Sequence, residues 1–217
     1  MKPGLTLILA HGEPPPAALL RRWAAVAEWF VCADGAVSQA LAAGLTPHTV
    51  LGDFDSAPAE LPAEVARLAI GEQETTDLEK ALYTCVERAV REVVVLGAGG
   101  WRWDMFYHNL GLFGRYADRL ALQAGDGHGW LTTVPAGEWW SGEYAVGAKL
   151  SLLPLPVAHG VAVRGLRWTP QTTLELAGAS GISNQVTAST VQVRYASGAL
   201  AVYEVAADDG YAGVERT

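Results

Sequence analysis

The sequence predicts an α/β protein in two parts: a Rossmann-like, mostly parallel sheet with helices on both faces, then an antiparallel β sandwich. Three observations lead there. Short apolar runs alternate with amphipathic stretches as far as Gly125-Asp126-Gly127. Beyond that point only short β-like runs occur, separated by Gly and Pro. Half of the 217 residues are hydrophobic and 18% are charged, a balance that supports packed cores rather than disorder.

The elements follow in order. Leu5 to Ala10 reads as a strand, and Pro14 to Glu28 as a helix with Leu19, Trp23 and Val26 at helical spacing. Phe30 to Ala33 is a second strand, Ala36 to Ala43 a helix stopped by Gly44, and Thr49 to Leu51 a third strand ending at Gly52. A helix is expected near Pro62 to Leu68. Leu78, Leu82, Cys85, Val86 and Ala89 mark an amphipathic helix. Glu92 to Leu96 is a strand, Asp104 to Tyr116 a helix and Leu120 to Gln123 the last strand of the first domain, residues 1–127. In the second domain, residues 128–217, strands are read at Trp130 to Val134, Lys149 to Leu155, Val161 to Val163 and Leu174 to Leu176. Val191 to Tyr195 and Ala199 to Val205 flank Ala196-Ser197-Gly198, which reads as a hairpin turn.

Several function classes are disfavoured. The net charge is -8 and no basic run exceeds Arg21-Arg22, so no nucleic-acid partner is expected. No stretch approaches the ~20 apolar residues of a membrane span. Cys32 and Cys85 read as buried reduced thiols, which fits a soluble cytoplasmic protein. The five histidines lack paired spacing for zinc, and no Gly-x-Ser-x-Gly elbow is present.

The informative feature is where the aspartates fall. Asp34 follows the second strand, Asp53 and Asp55 the third, Asp77 opens the amphipathic helix, and Asp104 follows the glycine turn after Leu96. The carboxyl ends of parallel strands form the ligand edge of such a sheet, so these residues should gather. In an extended Gly52-Asp53-Phe54-Asp55-Ser56 the two carboxylates share a side. At a separation of about 4 Å they repel by about 4 kcal/mol with an effective dielectric near 20, which a divalent cation would relieve. Mg²⁺ favours one or two carboxylates plus phosphate oxygens. The plain alternative is a solvated turn into Ser56-Ala57-Pro58. Thr76 and Glu79 form a capping-box pattern, with Asp77 favouring the positive helix end. Lys80 opposes that dipole, which suits a cation reaching for a polyphosphate, though a solvated Lys also fits. Gly97-Ala98-Gly99-Gly100 with Arg102 offers close amide approach and a planar donor fork, or simply a tight strand-to-helix connection.

Together these motifs resemble the thiamine pyrophosphokinase family. The resemblance rests on Ala33-Asp34-Gly35, Gly52 to Ser56, Thr76-Asp77 with Lys80-Ala81-Leu82, and Gly99-Gly100 with Arg102, Asp104 and Asn109. Ser151 to Leu155, Gly165-Leu166-Arg167-Trp168 and Ile182-Ser183-Asn184 extend it into the β part. It implies a catalytic domain, a thiamine-binding and dimerising β domain, a homodimer with thiamine between subunits, and transfer of pyrophosphate from ATP to thiamine. It further implies that Asp53, Asp55 and Asp77 hold Mg²⁺, with Lys80, Arg102 and Asp104 at the reacting groups. Asp34, Gly35, Thr76, Gly99, Gly100 and Asn109 would serve the nucleotide, and Trp168, Ser183 and Asn184 thiamine. The chain departs from the family pattern at Ala36 and Ser38, where a glycine and an Asn are usual, at the extra Trp101, and at Met105. A pyrophosphokinase for another alcohol, such as a hydroxymethylpterin, and a non-catalytic binding protein of the same fold are the competing expectations.

Overall fold

The structure is a computed structural model that describes residues 4–55 and 60–206. The chain separates into two compact units. One comprises residues 1–109 and 124–126, the other residues 110–123 and 127–217.

The first unit is built on β1 (Thr6–Leu9), α1 (Ala17–Val26), β2 (Trp29–Ala33), α2 (Val37–Ala42), β3 (Thr49–Gly52), β4 (Ala66–Ala69), α3 (Asp77–Glu87) and β5 (Glu92–Leu96). After β5 come α4 (Trp103–Tyr116), within which the division between units falls, and β6 (Ala121–Gly125). Strands β5, β1, β2, β3 and β4 pair in that spatial order, all parallel. Leu7, Ile8, Leu9, Val31, Val50 and Leu51 are fully enclosed, as strands covered on both faces must be. From β1 the chain steps through α1 to β2 in one direction, and later through α3 to β5 on the opposite side of β1. Right-handed crossovers in opposite directions put their helices on opposite faces. The strand order therefore reverses between β1 and β5, and a crevice opens at their carboxyl ends.

The segment expected to be helical near Pro62 to Leu68 is instead a turn followed by β4. A Val65 N–H···O Pro62 bond closes the turn, and Ala66 to Ala69 then pair with Thr49 to Gly52. Ala, Glu and Arg favour helix locally, but so short a helix is marginal by itself. Pairing with the otherwise open edge of β3 wins.

The second unit contains β7 (Gly129–Val134), β8 (Trp140–Glu143), β9 (Lys149–His159), β10 (Ala162–Arg164), β11 (Thr173–Glu175), β12 (Asn184–Gln185), β13 (Thr190–Arg194) and β14 (Ser197–Val205). Strand β14 lies between β7 and β9, antiparallel to both, and β9 also pairs with β11 and β12. A second sheet has the order β10-β13-β8. Leu150, Leu152, Leu200 and Val202 from the first sheet and Val191 and Val193 from the second share one buried cluster, so this is the expected antiparallel sandwich. One local expectation fails. β13 and β14 follow one another but form no hairpin, because each pairs in a different sheet. Tyr195 marks the crossing, its buried hydroxyl donating to the Val134 carbonyl at 2.9 Å.

Cys32 and Cys85 are buried and unbridged, and burial pushes both thiols up, Cys85 to about 12. Among the described residues no helix is long and apolar enough to cross a membrane.

Leu152→Ala should lower the unfolding free energy by about 2–5 kcal/mol through lost burial and a residual cavity. A urea titration checks this, and an unchanged midpoint would contradict the shared core.

Candidate active site at the carboxyl ends of the strands

The acidic cluster is assembled from two strand ends. Asp34 starts the 3-10 turn after β2 and is buried. Its Oδ2 accepts the Phe54 N–H at 2.7 Å, which pulls the loop after β3 over it. Two backbone conformations permit this approach. Gly52 sits at φ +152°, where a Cβ would lie 2.7 Å from the Asp34 carboxyl carbon, and Phe54 adopts φ +66°. Asp53 and Asp55 project from the same loop. Their carboxylates and that of Asp34 offer oxygens all within 4.8 Å of one another.

Asp53 is held by its neighbours. Its Oδ2 accepts from Gln73 Nε2 at 2.8 Å and its Oδ1 from the Asp55 N–H at 3.2 Å. These bonds, Gln73 first, hold the Asp53 carboxyl below the usual carboxylate range. Ser56, the last residue of the motif, lies outside the described residues.

Asp77 stands at the first turn of α3, where Thr76 caps the helix by accepting the Glu79 N–H at 3.3 Å. Burial, and next the Asp34 carboxylate, raise the Asp77 carboxyl, while Lys80 pulls the other way. Lys80 Nζ lies 3.3 Å from Asp77 Oδ1 and the Lys80 residue is only 6% exposed, so its ammonium is not solvated at will. The Glu79 carboxylate lies 3.9 Å from His108 Nε2, which itself stands 3.5 Å from the Thr76 hydroxyl.

A cleft of about 330 Å³ opens beside this helix start, a volume suited to a small molecule. Thr76 and Asp77 line it together with the glycine turn Gly97 to Gly100, Arg102, Met105 and Asn109. Its opposite wall is the loop after β1, with Ala10, His11 and Gly12. The two loops are bonded through Gly12 N–H···O Gly97 at 2.8 Å and Glu13 N–H···O Gly99 at 2.9 Å. No side chain fits at Gly12, since a Cβ would come within 2.3 Å of the Gly97 carbonyl oxygen. Buried Asn109 donates to the Ala98 carbonyl at 2.8 Å, which fixes the same turn.

Arg102 and Asp104 bind each other. Arg102 donates twice to the Asp104 carboxylate, at 3.1 and 2.5 Å, and thereby holds that carboxyl low. Arg102 reaches the cleft; Asp104 is not among the cleft's lining residues. Gly35 lies under the His11 ring, where a Cβ would come within 2.1 Å of His11 Nδ1.

In the second unit, Trp168, Ser183 and Asn184 form one local constellation. Buried Asn184 accepts the Trp168 N–H at 3.1 Å and donates to the Trp168 carbonyl at 2.7 Å. Ser183, at φ +52°, donates its N–H to Ser151 Oγ at 2.9 Å. The Trp168 residue is 52% exposed, with the Arg167 guanidinium 4.9 Å from its ring centre.

Sequence reasoning left three contributors out of the site: His11, Gly12 and Gln73. The strand-end rule, applied to β1, points to the first two. Gln73 carries no local signal, because only the fold brings it to Asp53.

The donor set fits a hard divalent cation. Three carboxylates offering oxygens within 4.8 Å of one another supply the hard oxygen ligands that such an ion prefers. Asp77, whose carboxyl is affected by both Asp34 and Asp53, adds a fourth nearby carboxylate.

Residues 20–122 match the family model described as thiamin pyrophosphokinase, catalytic domain. No curated protein matches the chain. Among solved structures, thiamin pyrophosphokinase from Geobacillus thermodenitrificans superposes with a TM-score of 0.78 at 24% identity, covering 95% of this chain and all of that one. Thiamine pyrophosphokinase from Bacillus subtilis gives 0.78 at 21% identity, covering 93% of this chain and 98% of that one. The Candida albicans enzyme gives 0.74 at 15%, covering 93% and 90%. At these identities the superpositions establish the fold across both units, while the family model speaks to the α/β part.

Two outcomes are expected. Mg²⁺ at ten times its dissociation constant should stabilise the protein by about 1.4 kcal/mol, and Asp34→Asn should remove most of that gain in a thermal-melt titration. The second concerns pH with metal chelated. The raised Asp77 carboxyl binds its proton more tightly when folded, so its stabilising contribution is complete below the unfolded value of about 3.9 and is lost as pH rises through the folded value. Asp77→Asn should therefore gain stability relative to the parent over that rise. Parallel urea midpoints for the two proteins would contradict the assignment.

Proposed function

We propose that this chain, whose residues 20–122 match the thiamin pyrophosphokinase catalytic-domain model, transfers the pyrophosphoryl group of ATP to the hydroxyl of thiamine, giving thiamine diphosphate and AMP. The observation that carries this reading is the Asp34, Asp53 and Asp55 group, with Asp77 beside it at the edge of the cleft.

Four carboxylates and the Lys80 ammonium give this corner an excess of negative charge. A triphosphate would be repelled from it unless a cation were shared between the two. Asp34, Asp53 and Asp55 would hold Mg²⁺, with Asp77 completing the set, and the metal would supply neutralisation and orientation of the phosphate oxygens. The chain's own groups do the rest. Lys80 is held by Asp77 in the first turn of α3, so its charge is directed rather than mobile. The glycine turn, fixed by Asn109 and by the loop after β1, lets a phosphate approach backbone closely. Arg102 is pre-aligned by Asp104 for a planar contact with phosphate. The attacking alcohol must lie in line with the β-phosphorus while AMP leaves on the far side, so catalysis here consists of positioning and charge stabilisation.

The exposed Trp168 ring, anchored through its backbone by Asn184, offers a flat face to a cationic heterocycle. In this reading the second unit supplies the thiamine contacts and the dimer interface, and the protein works in the cytoplasm as a homodimer.

Incubation with Mg²⁺, ATP and thiamine should release AMP and thiamine diphosphate in equal amounts, separable by chromatography. Asp53→Asn should cut turnover at least about 100-fold, with the melting temperature within a few degrees of the parent. AMP formed only with a hydroxymethylpterin, or no AMP with any alcohol, would overturn the proposal.

A further inference from the structure

Phosphates account for only part of a nucleotide. The acidic group, Lys80, the glycine turn and Arg102 are all suited to the polyphosphate, which leaves the base without a partner. Bases are held by flat apolar side chains, and stacking is worth more to affinity than to choice among bases. Trp101 is the large aromatic side chain in the cleft lining, immediately after Gly100 and beside Arg102 and Met105. It is 66% exposed, so packing does not account for it. Trp103, two residues on, is exposed still further at 85% yet is not part of the cleft lining. The glycine turn before Trp101 is fixed by bonds to the loop after β1 and to Asn109, so the indole stands on a rigid support rather than a loose loop.

We propose that Trp101 is the residue on which the base of the nucleotide co-substrate stacks, with the thioether of Met105 beside it in the apolar end of the site. The proposal rests on the phosphotransfer reading above and adds a residue that separates a nucleotide from a bare polyphosphate. Stacking in a partly open cleft orders the base against the indole, and a smaller side chain there would leave the phosphate contacts intact.

Calorimetric titration of the whole protein in Mg²⁺, with α,β-methylene ATP and with inorganic tripolyphosphate, separates the two halves of the ligand. Trp101→Ala should weaken the nucleotide analogue about 5- to 100-fold and change tripolyphosphate less than about 2-fold. Trp101→Phe should keep most of the nucleotide affinity, and Trp103→Ala should leave both affinities at the parent values. Because Trp101 is exposed, the melting temperature of each variant should stay close to the parent's. Full nucleotide affinity in Trp101→Ala, or an equal loss for both ligands, would refute the base-stacking role while leaving the phosphotransfer reading intact. A parent protein that binds neither ligand would overturn both.

Discussion

Carboxylates crowded at the edge of a parallel sheet repel one another, and the first unit has to hold them there against that repulsion. Oxygens of Asp34, Asp53 and Asp55 come within 4.8 Å of one another, close enough for like charges to repel. The backbone does the holding. The Phe54 amide is bonded to Asp34, Gly52 removes the side chain that would keep the loop away, and Phe54 accepts a left-handed conformation. Strain of this kind persists where the surroundings over-determine it, here through the buried parallel strands on either side. On the proposed reading, a cation shared with the ligand would offset that repulsion.

The cleft, whose lining includes Asp77 but not Asp34, Asp53 or Asp55, follows from the sheet's order. Strands β2 and β3 deliver the acids, β1 and β5 deliver the two interlocked loops, and α3 points its capped first turn into the space between them. One reversal of strand order is enough to bring four of these stretches, the ends of β1, β2 and β5 and the start of α3, to one cavity.

Much of this was legible from residues alone. Asp34, Asp53, Asp55 and Asp77 follow strand ends or open a helix, and apolar alternation located those ends. Thr76 reads as a helix cap because the capping pattern is local. Two features were not legible, for a common reason. The residues at Ala66 to Ala69 have helix-favouring composition, and only the unpaired edge of β3 makes them a strand. Val191 to Val205 looks like two strands around a tight turn, yet which sheet each joins is decided by distant partners. Gln73 belongs with these, since its bond to Asp53 crosses a loop. Local chemistry writes caps and turns; pairing across long stretches of sequence is settled by packing.

The insertion of β14 between β7 and β9 bears on how the second unit comes together. β7 and β9 do not pair with each other; each completes its pairing only with β14, a strand roughly 40 to 70 residues further on. Closing such long loops delays folding, and until Ser197 to Val205 arrives each of the two older strands presents one unpaired edge. Open ladders recruit other chains, so loss of this one strand should turn a folding defect into self-association.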